Sequence, residues 1–224
     1  MEILYEDNHI IAVNKKSSEL VQGDRTGDQT LSGEVKEYLA IKYHKKGNVF
    51  LGVVHRLDRP VSGAILFART SKALGRLNKM FKEKQVSKKY LAVVRQRSPA
   101  EEGRLFDYLK KNEKQNKSYA YDKPVKGSKE ALLDYRLIRR TERYYLLEID
   151  LHTGRHHQIR CQLAKAGCPV KGDLKYGFPR SNNDGSISLH AWKIRFVHPV
   201  KNTEIELTAP LPDTDIWSMI REVI

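Results

Sequence analysis

Two short apolar runs, residues 49–54 and 64–68, bracket the polar stretch His55-Arg56-Leu57-Asp58-Arg59-Pro60-Val61-Ser62-Gly63. Runs of this length and composition read as buried strands. Pro60 and the Ser62-Gly63 pair mark a loop between them. One carboxylate, Asp58, is therefore carried on a strand-to-strand loop with arginines at 56 and 59. Loops held by a rigid scaffold are where chemistry concentrates. Flanking guanidinium groups are expected to keep Asp58 ionised, as a nucleophile or a general base requires. The other reading of such an aspartate is a turn former that bonds its own backbone.

The 224 residues suffice for one large domain or two small ones, and no composition shift marks a boundary, so a single domain over 1–224 is expected. Hydrophobic residues at 40% and charged residues at 30% support a packed core and exclude wholesale disorder. No apolar stretch approaches the ~20 residues that span a bilayer. The start, Met-Glu-Ile-Leu-Tyr-Glu-Asp, has neither the basic nor the apolar segment of a signal peptide. A cytoplasmic location is expected. Cys161 and Cys168 are too few for a disulfide scaffold, and their spacing matches no zinc pattern.

Lys and Arg number 41 against 27 Asp and Glu, a formal charge of +14. An excess of that size points to a polyanionic partner. Nucleic acid fits better than a membrane, because no long basic amphipathic helix is present in the pattern.

In chain order, Ile3-Leu4-Tyr5 and residues 10–13 read as strands around a turn at Glu6-Asp7-Asn8. Leu31, Val35, Tyr38 and Leu39 fall at helical spacing, giving a helix from 31 to about 44. A second helix begins after Thr70 or Ser71, with Ala73, Leu74, Leu77, Met80 and Phe81 on one face. Its other face carries Lys72, Arg76, Lys79, Lys82 and Lys84, a solvated row that also suits phosphates. A strand follows from Lys88 to Val94. Residues 98–129 show the weakest pattern; lysines interleaved with Tyr108, Tyr119 and Tyr121 suit either an edge hairpin, the favoured reading, or a base-stacking surface. Residues 132–138 and 144–151 read as paired strands. A short helix runs on from the segment at 153–160 and is stopped by Gly167 and Pro169; strands at 189–197 and 204–208 and a helix over 215–223 complete the chain. Strands dominate with few strict strand-helix-strand units, so the expected class is α+β, a mixed and largely antiparallel sheet with flanking helices.

Phosphate-binding glycine loops are absent, as is the Gly-x-Ser-x-Gly elbow that a Ser62 nucleophile would need. His152, His156 and His157 cluster, but no acidic or Cys partner stands at a metal-ligand spacing. No metal is expected.

The stretch His-Arg-Leu-Asp-x-x-x-Ser-Gly at 55–63 resembles the signature loop of the RluA family of RNA pseudouridine synthases. Thr153-Gly154-Arg155-His156-His157-Gln158-Ile159-Arg160, with the following Ala-Gly-x-Pro-Val-x-Gly-Asp and Lys-Tyr-Gly, resembles a second block of that family. Leu189-His190-Ala191, His198-Pro199 and Ala209-Pro210-Leu211-Pro212 resemble its end. Ile3-Leu4-Tyr5-Glu6-Asp7 and Val13-Asn14-Lys15 resemble its beginning. The blocks cover nearly the whole chain in the family's order. Departures fall at Lys16 and Ser18, where the family usually has Pro and Gly, at Val61, where it has Thr, and at His156, where it has Thr or Ser.

The resemblance implies a pseudouridine synthase-like fold and conversion of uridine to pseudouridine in structured RNA, a ribosomal or transfer RNA stem-loop. It implies no cofactor, because the reaction only moves a glycosidic bond from nitrogen to carbon 5 of the same base. Asp58 matches the family's nucleophile, Tyr90 its active-site tyrosine and Arg160 its partner arginine, with Arg155 a rival for that part. Arg56 matches a residue that in some members fills the space left by the flipped base. His55, Arg155, His157, Gln158 and Leu189 are the further implied substrate contacts. Many members carry a small RNA-binding domain ahead of the catalytic one; here the first strand starts at once, so that domain is expected to be missing. A monomer without membrane attachment is expected. Two rival functions are a non-catalytic RNA-binding or ribosome-assembly protein of the same fold and a metal-dependent hydrolase built on the histidines.

Overall fold

The computed structural model describes residues 1–23, 27–96 and 100–221. The expectations for residues 98 and 99 and for residues 222 and 223 lie outside the described residues. The chain divides into two compact units, residues 1–86 with 191–212, and residues 87–190 with 213–224.

In the first unit, β1 (Glu2–Glu6) and β2 (Ile10–Lys15) form an antiparallel pair, and β2 pairs antiparallel with β4 (Ser62–Ala68). A two-residue strand β3 (Gly52–Val53) also pairs with β4. The strand order is β1-β2-β4-β10, where β10 is Leu189–Val197, and β11 (Glu204–Thr208) adds antiparallel to β10. Every residue of β4 is buried. The reason is that both faces of the β2–β4 pair are covered. Ile11, Val13, Ile65 and Phe67 pack with Leu31, Val35 and Leu39 of helix α1 (Leu31–Lys42). The alternate residues, Ile10, Ala12, Ala64 and Leu66, pack with Ala73 and Leu77 of helix α2 (Ser71–Lys82). A strand covered on both sides reads as a continuous apolar run rather than an alternating one. Thr30 and Thr70 cap the two helices, their hydroxyls accepting from the backbone N–H of Gly33 and Ala73. Lys72, Arg76, Lys79 and Lys82 line the exposed side of α2.

The second unit orders its strands β5-β9-β8-β6-β7: β5 (Ser87–Val94), β6 (Glu102–Asn112), β7 (Lys117–Tyr121), β8 (Lys129–Arg140) and β9 (Tyr145–Leu151), all antiparallel. The weakly patterned stretch, over its described residues, thus holds the β6–β7 hairpin, which ends the sheet. Its charges sit on an edge, where they discourage pairing with another chain. Phe106, Tyr119 and Tyr121 are exposed on it. Helix α3 (Gln158–Lys165) packs Cys161 against Leu109, Ala131 and Tyr176. Helix α4 (Asp215–Arg221) places Trp217 against His190. No helix of the described residues is long and apolar enough to cross a membrane.

Candidate active site

The loop between β3 and β4 is tied down from below. Lys15, the last residue of β2, is fully buried, and its ammonium donates to the carbonyls of Lys16 (2.9 Å), Arg59 (3.1 Å) and Val61 (2.6 Å). The Val61 N–H closes a turn on the Asp58 carbonyl at 3.0 Å, and Ser18 N–H donates to Arg59 O at 2.8 Å. Asp58, half-buried, therefore rides on a turn whose carbonyls converge on one buried cation. Burial pulls the Lys15 ammonium down to about 8; the negative charges of Glu19 and Asp58 act against that fall, and Arg59 adds to it.

Ser18 holds a left-handed backbone, φ 72°. This is the position where the family usually has Gly, and the left-handed region costs other residues about 1 kcal/mol or more. The Arg59 guanidinium turns away from Asp58: Nε donates to Ser18 O at 3.1 Å, and a terminal nitrogen pairs with Asp28 at 2.9 Å. Arg56 is exposed. Nε2 of His55 accepts the Leu66 N–H at 3.0 Å, and its ring stacks on Phe81 with centroids 5.0 Å apart, so part of this side chain serves the fold. Gly63 is more than loop punctuation. Its φ is +118°, and a Cβ there would lie 2.3 Å from the Ala191 carbonyl oxygen, so only glycine lets β10 approach.

The second unit holds Tyr90, Arg155, His157, Gln158, Arg160 and Leu189. Tyr90 and Leu189 are buried on β5 and β10. Arg160 is 5% exposed and forms a two-point ion pair with Asp173, itself 1% exposed: Nε to Oδ2 at 2.7 Å and a terminal nitrogen to Oδ1 at 3.0 Å. Such a fork fixes the guanidinium plane. The Tyr176 ring lies under the same guanidinium at 5.1 Å. The Tyr176 hydroxyl also takes the Ser118 N–H at 2.8 Å and meets His157 Nδ1 at 3.0 Å.

His157 opens α3 in the left-handed region, φ 53°, and stacks on His156 at 3.7 Å. Burial and the neighbouring Arg160 depress His157 to about 2, so it is a neutral imidazole at ordinary pH. Gln158 is buried, and its amide ties its loop to β8, accepting from Thr153 Oγ1 (2.7 Å) and Arg155 N–H (3.0 Å) and donating to Leu132 O (3.2 Å). His152 bonds Asp134 at 2.8 Å, away from the His156–His157 stack. Among the described residues no three His, Cys, Asp or Glu side chains gather as a metal site.

Lys15 and Asp173 are two residues of this arrangement that no local pattern announces. Both stand in blocks that carry the resemblance, Val13-Asn14-Lys15 and Gly172-Asp173, which is the signal that would have found them.

Mostly antiparallel strands with few helices make up the fold that carries these residues. The family model described as RNA pseudouridylate synthase matches residues 9–165. The chain is 31% identical to tRNA pseudouridine synthase C of Vibrio parahaemolyticus, over 98% of this chain and 93% of that one. It is 30% identical to ribosomal large subunit pseudouridine synthase C of Buchnera aphidicola, over 99% of this chain and 70% of that one. The structure of human RNA pseudouridylate synthase domain containing 4 shares the fold, with a TM-score of 0.80 and 21% identity over 98% of this chain and 92% of that one. The chain belongs to the RNA pseudouridylate synthase family, of the RluA type. It is accordingly an RNA pseudouridine synthase, an isomerase.

Proposed function

We propose that this protein isomerises uridines in structured ribosomal or transfer RNA, with Asp58 as the nucleophile and without a cofactor, and that residues 1–224 act as a single catalytic domain. The relatives at about 30% identity are named for transfer RNA and for large-subunit ribosomal RNA, and the net charge of +14 suits either. The observation that carries the assignment of Asp58 is the loop itself: a half-buried carboxylate on a turn whose Arg59 and Val61 carbonyls are held by the buried Lys15 ammonium. A scaffold spends a buried cation this way to fix a geometry.

The reaction needs a nucleophile more than a redox centre. The carboxylate bonds to the ribose or to the base, and the bond from C1′ to N1 breaks. The detached uracil turns, and C5 bonds to C1′. The carboxylate departs, the C5 proton goes to solvent and N1 takes a proton. Atoms and electrons balance with no external reactant. Tyr90 offers a ring to the uracil and a hydroxyl for proton transfer. Arg160, oriented by Asp173, supplies a permanent positive charge. In this reading Arg56, exposed on the loop, fills the space that the base leaves in the stack.

The test is tritium release from RNA labelled at carbon 5 of uridine, with transfer and ribosomal RNA from cells lacking this protein as separate pools. Release from at least one pool, unchanged by a chelator, is expected. A folded protein that releases nothing from either pool overturns the substrate assignment, and chelator sensitivity overturns the cofactor-free mechanism.

A further inference from the structure

Lys88 is a half-buried cation of the second unit. It precedes Tyr90 by two residues on β5 and therefore projects from the same face. Its ammonium makes no hydrogen bond or ion pair among the described residues. Its neighbour Lys89 is paired, with Glu148 at 3.0 Å. Burial lowers the Lys88 pKa, and Asp150 offsets this only from beyond ion-pair distance. An ammonium drawn partly out of water and given no protein acceptor gains from an acceptor brought to it.

The surroundings say what would. A Cβ on Gly154 would stand 3.6 Å from Lys88 Nζ, so the ammonium lies against this exposed glycine. Gly154 is outside the left-handed region, and its backbone does not demand glycine. A long side chain there would cover Lys88, which gives the glycine a reason. The next residue, Arg155, donates Nε to the Glu130 carbonyl at 2.7 Å, which anchors the guanidinium while its terminal nitrogens take no partner among the described residues. An ammonium against a bare glycine, with an anchored guanidinium on the next residue in the chain, offers the donors that a tetrahedral oxyanion takes.

We propose that Lys88, Gly154 and Arg155 form a binding site for one backbone phosphate of the RNA, adjoining the nucleotide that Tyr90 engages. The RNA identity of the phosphate rests on the function proposed above; the anion site itself does not. Its role is to position the strand.

The experiment follows the lysine side-chain resonances by NMR during titration of the full chain with inorganic phosphate, against chloride at equal ionic strength. The Lys88 resonance, assigned by its loss in Lys88→Met, is expected to shift saturably with phosphate and not with chloride. Its pKa is expected to rise as phosphate binds. Gly154→Asp, which supplies a carboxylate in place of the phosphate, is expected to abolish the shift in a folded protein. If Lys88 responds no more than the exposed Lys45, the site is overturned.

With RNA as substrate, Lys88→Met is expected to raise KM about tenfold or more with little change in kcat, and Lys88→Arg to restore most of it. The salt slope of RNA binding is expected to fall by about one. A phosphate response without pseudouridine formation keeps the anion site and overturns the proposed reaction. A phosphate response with KM and salt slope unchanged in Lys88→Met overturns the RNA-phosphate role.

Discussion

The Nζ of Lys15 lies 2.6 Å from the carbonyl oxygen of Val61, across 46 residues of sequence, and so ties the end of the second strand to the loop that presents Asp58. The same ammonium holds Arg59 O, the acceptor for Ser18 N–H. Replacing Lys15 by Met keeps length and apolar stem and removes every donor. Three carbonyls lose a charge-assisted partner, while the burial of a charge is relieved. A net stability loss of about 1–3 kcal/mol is expected, with a fall in turnover of about a hundredfold or more because the loop loses its geometry. Denaturant unfolding and single-turnover assays check the two parts separately.

The same cation sets a pH dependence. Lys15 is lowered from 10.5 to about 8. Above that pH the amine is neutral and has two N–H donors for three carbonyls. Activity is expected to decline as pH rises through about 8. Stability moves oppositely: between about 8 and 10.5 the unfolded chain keeps the Lys15 proton that the folded chain releases. This group's contribution to stability therefore rises with pH over that window. A pH–rate profile beside unfolding at the same pH values checks the opposition, and Lys15→Met is expected to abolish both trends.

Asp173 is predicted to matter through Arg160. The pair is buried, and removing the carboxylate leaves the guanidinium without its two-point partner. Asp173→Ala is expected to cost about 3–5 kcal/mol, and Asp173→Asn, which keeps one acceptor oxygen, less. Thermal unfolding reads the order of the two variants.

Ser18 is predicted to be improvable. Its φ of 72° is glycine territory, and only its backbone is used in the contacts with Arg59. Ser18→Gly relieves about 1 kcal/mol or more of left-handed strain against ~0.5–1 kcal/mol of added chain entropy. A gain of up to about 1 kcal/mol, with activity unchanged, is expected in denaturant unfolding.

The elements visible in the sequence are those whose local pattern agrees with their final burial. Leu31, Val35 and Leu39 share one face of α1, and β4 is buried throughout, so periodicity and composition were enough. The hairpin from Glu102 to Tyr121 was faint because an edge strand carries its charges outward and buries little. Lys15 is not legible because a lysine just past a predicted strand is almost always exposed, and nothing local announces that the strand runs on to it or that carbonyls arrive from residues 16, 59 and 61. Asp173 was hidden for a related reason: its partner is 13 residues away, and only the fold makes them meet. Gly63 looked like a turn residue, while its real constraint is the Ala191 backbone pressed against it. Arg59 sits beside Asp58 in sequence, but its guanidinium serves Asp28 and Ser18 instead.

The central claim is that Asp58 is the nucleophile. Asp58→Asn keeps size and polarity and removes the anion. Pseudouridine formation by this variant is measured on the RNA pool that the wild type modifies, with RNA affinity and thermal unfolding measured on the same preparation. Loss of detectable product with affinity and stability close to wild type is the predicted result. Turnover by Asp58→Asn within about tenfold of wild type would contradict the account, because a residue that forms the covalent bond cannot be dispensed with so cheaply.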